Sequence, residues 1–270
     1  MHPDAAQLDD LVEQVRSTGK YAPIDLQLIR RLGAVELAKR VSLKEAVKST
    51  RNKLHQVGSA YQEKPIPYVK WQSELAALPA DLSARPVRDY LCRCMQFHAS
   101  TQERLSIHET FFKQVLTELG PIHSLVDLAC GLNPLNLPWL PVAAEIEYWA
   151  CDIYSDMLAF LNTFFVHFGV HGRAFACDLI HEIPQPPAQL ALLLKTIPCL
   201  EQFDKTAGLR LLEGVQAENI LVTFPAHSLG GRSKGMPQNY SDHFAQLVAG
   251  KPWHITRFDF PGELAFLIRK

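Results

Sequence analysis

Three aspartates, Asp127, Asp152 and Asp178, each close a short apolar run, and they are separated by 25 and 26 residues. That gap is the length of one strand–helix unit. In a parallel sheet the three carboxylates are therefore expected along the edge where the strands end. A carboxylate at the end of the second strand can accept both hydroxyls of a ribose, and one at the end of the third can take an adenine amino group. The first is expected to order a turn rather than touch ligand. Each alone could equally cap a helix or a turn; the regular set points to a nucleoside-type cofactor.

The turn after the first aspartate reads Asp127-Leu-Ala-Cys-Gly-Leu-Asn-Pro-Leu-Asn-Leu-Pro-Trp139. Gly131 lets the backbone turn sharply and approach a ligand. No Gly-x-Gly-x-x-Gly set is present, which argues against a pyrophosphate-bearing dinucleotide. Lys195-Thr-Ile-Pro198 ends the fourth expected strand, where Lys195 is placed to meet an acceptor. The loop Ser228-Leu-Gly-Gly-Arg-Ser-Lys-Gly-Met236 joins paired glycines to Arg232 and Lys234, a combination suited to a phosphate or a base.

The elements that must position these residues are legible from periodicity. Strands are expected at 122–128, 145–152, 173–178, 190–196 and 219–224, with helices at 155–168, 202–214 and 241–249. Segments 253–260 and 263–269 flank Pro261-Gly262 as a hairpin. Five strand–helix units closed by an antiparallel hairpin give a seven-stranded Rossmann-like sheet. S-adenosylmethionine-dependent methyltransferases end in this way, whereas dinucleotide-binding domains add further strand–helix units. Residues 1–97 read as a helical N-terminal domain with a connector, and 98–270 as the α/β domain. Gly33 is expected to end one N-terminal helix, and Ser42 with Glu45 has capping-box spacing for the next. A long amphipathic helix is expected from Ser100 to Leu119, stopped by Gly120-Pro121.

Bulk composition agrees with a soluble α/β protein. Of 270 residues, 47% are hydrophobic and 20% charged, and no apolar run reaches the roughly 20 residues of a membrane span. With no secretory signal in view, the expected location is the cytoplasm. The six cysteines show neither zinc spacing nor a Cys-x-x-Cys pair, so no metal and no disulfide are expected. The formal charge of −1 hides a basic run. From Arg30 to Lys53, eight Lys/Arg stand against Glu36 and Glu45, a local +6, with Lys48 and Arg51 near its end. Such a run can be a solvated helix face or a surface for nucleic-acid phosphate.

The strings quoted above, with His98-Ala-Ser-Thr-Gln-Glu-Arg-Leu105, Ala150-Cys-Asp-Ile153, Leu192-Leu-Leu-Lys-Thr-Ile-Pro-Cys-Leu-Glu201 and the Phe224–Met236 segment, resemble the aminoglycoside-resistance 16S rRNA methyltransferases of the Arm/Rmt type. The resemblance covers about residues 20–270. It implies a class I S-adenosyl-L-methionine-dependent fold with an N-terminal all-helical domain that docks on RNA. It also implies methyl transfer to N7 of the guanine numbered 1405, in helix 44 of the 30S subunit, by a monomer. Carried over residue by residue, cofactor contacts fall on Tyr61, His98, Ala99, Ser100, Arg104, Ala129, Gly131, Asp152, Ile153, Asp178, Leu179 and Gln202. Arg104 would pair the methionine carboxylate. RNA contacts fall on Lys195, Arg232, Lys234 and Met236, with Lys48 and Arg51 in the docking domain. Gln102 departs from the basic residue common in the family at that position. No general base is expected. The alternatives are methylation of another 16S rRNA base, such as adenine 1408, and a non-catalytic RNA-binding protein of the same fold.

Overall fold

The computed structural model describes residues 4–39, 42–56, 65–226 and 236–270. The chain begins with three helices, α1 (Ala5–Arg16), α2 (Leu26–Lys39) and α3 (Leu43–Leu54), which pack on one another. Each starts on a side-chain cap: Asp4 accepts from the Ala6 N–H, Asp25 from Leu28 and Ser42 from Glu45. Gly33 does not end its helix. It lies inside α2 against Leu11, and a Cβ there would meet Leu11 Cδ2 at 2.4 Å. The glycine is thus a packing requirement of the α1–α2 crossing. Arg30 pairs with Asp9 at 2.6 Å across the same crossing. Between α2 and α3 the buried Glu36 accepts from Lys53 at 2.7 Å and from Ser49 at 2.6 Å.

Helices α4 (Tyr68–Ala76) and α5 (Arg85–Met95) follow. The Tyr68 and Trp71 rings pack on Phe160 of α8 (Ser155–His167), and the Tyr90 hydroxyl donates to the Trp71 carbonyl at 2.7 Å. The expected helix from Ser100 to Leu119 is broken into α6 (Ala99–Arg104) and α7 (His108–Leu116), with a 3-10 turn at Thr117–Leu119. The break has a use for each half. It turns Arg104 into the end of the sheet, while α7 lays Phe111, Phe112, Val115 and Leu116 into the core.

The sheet has order β3-β2-β1-β4-β5-β7-β6. Strands β1 (Ile122–Leu128), β2 (Val142–Asp152), β3 (His171–Ala176), β4 (Ala188–Leu194) and β5 (Ala217–Pro225) are parallel. Strand β7 (Glu263–Arg269) runs antiparallel between β5 and β6 (His254–Phe260). The expected seven strands and terminal hairpin are therefore present. Strand β3 stops at Ala176, so Asp178 stands in the turn beyond it. A short unforeseen helix, α9 (Thr196–Leu200), precedes the one expected at 202–214, which starts later as α10 (Ala207–Gly214), and α11 (Met236–Leu247) completes the set. Side chains alternate across the sheet, as strands buried on both faces require. Leu125, Tyr148, Leu190 and Leu192 enter the core shared with α1–α8, and Val126, Cys151, Ala191 and Leu193 enter the opposite one. Among the described residues no helix is long and apolar enough to cross a membrane.

Gly33→Val would drive a branched side chain into Leu11. An expected loss of about 1–3 kcal/mol follows, readable in urea unfolding; a variant as stable as the parent would refute this account of the crossing.

Candidate functional site

In an open sheet of this order the strand order reverses between β1 and β4, and ligands bind beyond the carboxyl ends there. A cleft lies at that place. It encloses about 1040 Å³ including its open mouth, and it is walled by the ends of β1, β2 and β4, the turn after β3, α6 and α2.

Asp127 is buried at the foot of the cleft but does not line it. Its Oδ2 accepts from Asn133 Nδ2 and from the Tyr148 hydroxyl, both at 2.8 Å. Oδ1 is buried with no partner among the described residues. Burial lifts this carboxyl to about 7, against the pull of its two donors. Asp127 thus orders the Asn133–Trp139 turn, the structural role expected of the first aspartate.

Asp152 lines the cleft and is half-buried. Its carboxylate accepts the Gly131 N–H at 2.9 Å and the Ile153 N–H at 2.6 Å. The acceptor capacity left on this carboxylate is what a ribose diol could use. Burial raises this carboxyl, and the backbone N–H groups pull it back. Gly131 has a φ of 52°, and a Cβ on it would meet the His98 ring at 2.6 Å, so the residue cannot be other than glycine without moving His98. Among the described residues two that are not glycine are also left-handed, Ala129 at 54° and Lys195 at 59°; both sit at strand ends facing the cleft.

Asp178 forms the third side. Its Oδ1 accepts the Ile180 N–H at 3.0 Å, and its Oδ2 faces His181 Nδ1 at 3.0 Å. Oδ2 also accepts from Arg31 of α2, Nε at 3.0 Å and Nη2 at 2.9 Å. Apolar walls come from Leu28, Leu32, Ile153, Leu179, Ile180 and Leu200.

Arg104 lines the cleft, but its fork is already engaged. Nε and Nη2 donate to the two oxygens of Glu263 at 3.1 and 2.6 Å, and Nη1 donates to Asn133 Oδ1 at 3.3 Å. A carboxylate ligand could reach only the two remaining N–H bonds, one on each terminal nitrogen. Lys195 also differs from a surface cation: it is 3% exposed, with its ammonium on Glu103 and 3.7 Å from Glu263. Burial alone would raise the Glu263 carboxyl, but Arg104 and Lys195 outweigh it and hold it below the usual range. His98 is enclosed beside these cations, and its imidazole falls to about 4, neutral at physiological pH.

Of the cofactor residues expected from sequence, His98, Ser100, Arg104, Ala129, Asp152, Ile153, Asp178 and Leu179 line this one cleft. Gly131 stands just behind it through Asp152, and Ala99 flanks it without lining it. Gln202 is exposed in the turn between Leu200 and Phe203, which do line the cleft. Tyr61, Arg232 and Lys234 lie outside the described residues, and Met236 opens α11 half-buried. In the basic run, Lys48 is exposed, whereas the Arg51 guanidinium donates to the Gln14 carbonyl. Leu28, Arg31, Leu32, Glu103, Asn133 and Glu263 were not foreseen. For Glu263 a signal existed: the first residue of an antiparallel strand lies at the edge where its parallel neighbours end.

The residues present fit an adenosyl cofactor without phosphates. Among the described residues a half-buried carboxylate, Asp152, and a second carboxylate fixed among apolar walls, Asp178, line the cleft, and no glycine-rich phosphate cradle is built. Fold and cleft together define a class I S-adenosylmethionine-dependent methyltransferase.

Comparison with known proteins narrows the class. A model described as "Ribosomal RNA methyltransferase (FmrO)" matches residues 16–267, and the chain belongs to that family. It is 34% identical over 267 residues to the 16S rRNA (guanine(1405)-N(7))-methyltransferase of Micromonospora rosea, covering 98% of this chain and 97% of that one. It is 33% identical over 266 residues to the enzyme of the same description from Micromonospora echinospora, with coverage of 98% and 97%. The solved structure of 16S rRNA methyltransferase RmtF in complex with S-adenosyl-L-homocysteine superposes with a TM-score of 0.83 at 29% identity, covering 99% of this chain and all of that one.

Two outcomes are expected. Glu263→Ala leaves Arg104 and Lys195 short of a buried partner and should cost about 3–5 kcal/mol in denaturant unfolding; a loss under 1 kcal/mol would show the cluster is slack. Asp127 retains its proton in the folded state up to about pH 7 but loses it near 3.8 when unfolded. Its contribution therefore erodes stability as pH rises between those values. Asp127→Asn should gain on the parent across that window, by up to about 4 kcal/mol, in unfolding curves taken from pH 4 to 7.5. A pH-independent difference would contradict the burial argument.

Proposed function

We propose that the protein transfers the methyl group of S-adenosyl-L-methionine to N7 of guanine 1405 in 16S rRNA, on the 30S subunit and in the cytoplasm. The observation that carries the reading is the cleft itself. It brings Arg104, Asp152 and Asp178 to the switch point of a chain that belongs to the rRNA methyltransferase family.

The cofactor, when bound, supplies a methyl group on a positively charged sulfur. Guanine N7 has a lone pair and no proton at neutral pH, so no side chain has to act as a base. What the chain contributes is position. Asp152, held by two backbone N–H groups, orients the ribose. Asp178 takes the adenine amino group. Arg104, fixed by Glu263, offers its remaining N–H bonds to the methionine carboxylate. The product guanosine gains a fixed positive charge and loses an acceptor, which weakens binding of cationic aminoglycosides.

In an A-form helix N7 faces a deep, narrow groove that side chains do not read. Helix 44 must therefore be distorted or the base flipped, at a cost of a few kcal/mol. Contacts to the RNA backbone offset that cost. The cations available for them in the N-terminal bundle are fewer than the sequence suggests: Arg30, Arg31, Arg51 and Lys53 are engaged within the chain, while Lys39, Lys44 and Lys48 are exposed. Docking by these lysines, and action as a monomer, complete the proposal.

Purified 30S subunits treated with the protein and labelled cofactor should carry one new methyl group, mapped by mass spectrometry to guanine 1405; a methyl at adenine 1408 or elsewhere would overturn the assignment. Asp152→Ala should weaken cofactor binding about tenfold or more in calorimetry, and equal affinity would remove the ribose role. Lys44→Ala with Lys48→Ala should spare cofactor binding and lower the salt slope of subunit binding by about 1 per residue. An unchanged slope would leave those lysines as a solvated face.

A further inference from the structure

The cleft's base-binding end is not built by the α/β sheet alone. Helix α2 of the N-terminal bundle forms its outer wall through Leu28 and Leu32, and Arg31 lies between them in sequence. The wall is anchored on both sides of the cleft. The Asp25 N–H donates to the Ile153 carbonyl at 2.8 Å, the Ser155 N–H donates to the Pro23 carbonyl at 2.8 Å, and Ile24 bridges Tyr154. From this wall Arg31 spans to the turn after β3, with Nε and Nη2 on Asp178 Oδ2 and Nη1 on Glu182 Oε1 at 3.2 Å.

The pairing fixes how Asp178 can be used. Oδ2 is taken by Arg31 and faces His181, while Oδ1 has accepted one backbone N–H. The acceptor capacity left open is thus on Oδ1, held in one orientation by contacts on both oxygens. A purine that presents an amino group at its six position is satisfied there. A purine with a carbonyl at the same position sets two acceptors against each other with no proton between them. Discrimination of this kind lasts only while the carboxylate cannot rotate, and Arg31, with two donors on Oδ2, opposes rotation.

We propose that Arg31 is a specificity-determining positioning residue: acting through Asp178, it makes the cleft selective for an adenine-bearing cofactor over its six-oxo analogue. The N-terminal bundle thereby takes part in choosing the cofactor as well as in docking. This rests on the S-adenosylmethionine reading above, and the experiment separates the two.

Full-length protein is titrated in the calorimeter with S-adenosylhomocysteine and with S-inosylhomocysteine. The parent should prefer the adenosyl ligand by about 100-fold or more, as sites that hydrogen-bond a substrate group do. Arg31→Met should cut that ratio about tenfold, within the range for residues sharing a partner, by weakening the adenosyl ligand more than the inosyl one. Arg31→Lys should restore part of it. In an Asp178→Asn background, Arg31→Met should leave the ratio unchanged. Equal weakening of both ligands by Arg31→Met would reduce Arg31 to a prop for the α2 wall and overturn the inference, as would a preserved ratio. Thermal unfolding of each variant shows whether the fold survives; the ratio, measured within one variant, is insensitive to the fraction folded. If the parent binds neither ligand, the cofactor reading itself fails and takes this inference with it. If the parent binds and discriminates but Arg31→Met still does, only the inference fails.

Discussion

Three buried charges beneath the cleft, Arg104, Glu263 and Lys195, joined by the exposed Glu103, set the terms for the rest of the molecule. Removing one carboxylate or guanidinium from water costs several kcal/mol even after relaxation, and the mutual attraction of the cluster offsets this only while its geometry holds. The cluster draws on three separated parts of the chain. Arg104 and Glu103 come from α6, Lys195 from the end of β4, and Glu263 from the start of β7. Its value lies less in net stability than in register. A hairpin slipped by one residue would turn Glu263 to the other face of the sheet and strand Arg104 and Lys195. The antiparallel last strand is thus part of the site, because only a strand of that direction can deliver its first residue to the edge where β5 ends at Pro225.

The same edge carries the local backbone cost. Ala129 and Lys195 both adopt left-handed conformations that L-residues disfavour. Each is held by neighbouring elements: the Cys130 N–H, next to Ala129, donates to the Cys151 carbonyl at 2.9 Å, and the Lys195 N–H donates to both oxygens of Thr223 at 3.0 and 3.1 Å. The turn at Lys195 starts α9 and sends the lysine ammonium inward to the carboxylates. A lysine that the sequence places to meet an acceptor thereby becomes an internal counter-ion.

The legible parts of the chain were those governed by local rules. Strand alternation, the three aspartates one strand–helix unit apart, the Ser42 cap and the terminal hairpin each follow from short-range chemistry, and they place the fold and most of the cleft. Departures arose where tertiary contact overrode a local signal. Gly33 looks like a helix stop because glycine is a poor helix former, yet at the α1–α2 crossing the absence of a Cβ is worth more than the propensity lost. The periodicity of 100–119 is helical throughout, and only the burial of Arg104 against Glu263 gives a reason for the break at Leu105–Ile107. The basic run showed its charge but not its partners: Asp9, Glu36, Gln14 and Asp178 occupy half of it.

Arg31 marks the limit of such reading, since its partner is 147 residues away and nothing local distinguishes it from Arg30. The two are adjacent on α2 and so face about 100° apart. One points to Asp9 of α1, the other to Asp178 in the cleft. A bundle tied to the sheet through Pro23, Asp25 and Arg31 cannot swing away from the cofactor without breaking all three attachments. The exposed lysines of α2 and α3 and the wall of the cofactor cleft therefore belong to one small packed unit. Any displacement of α2 must be felt at Asp178, and the coupling runs equally in the other direction.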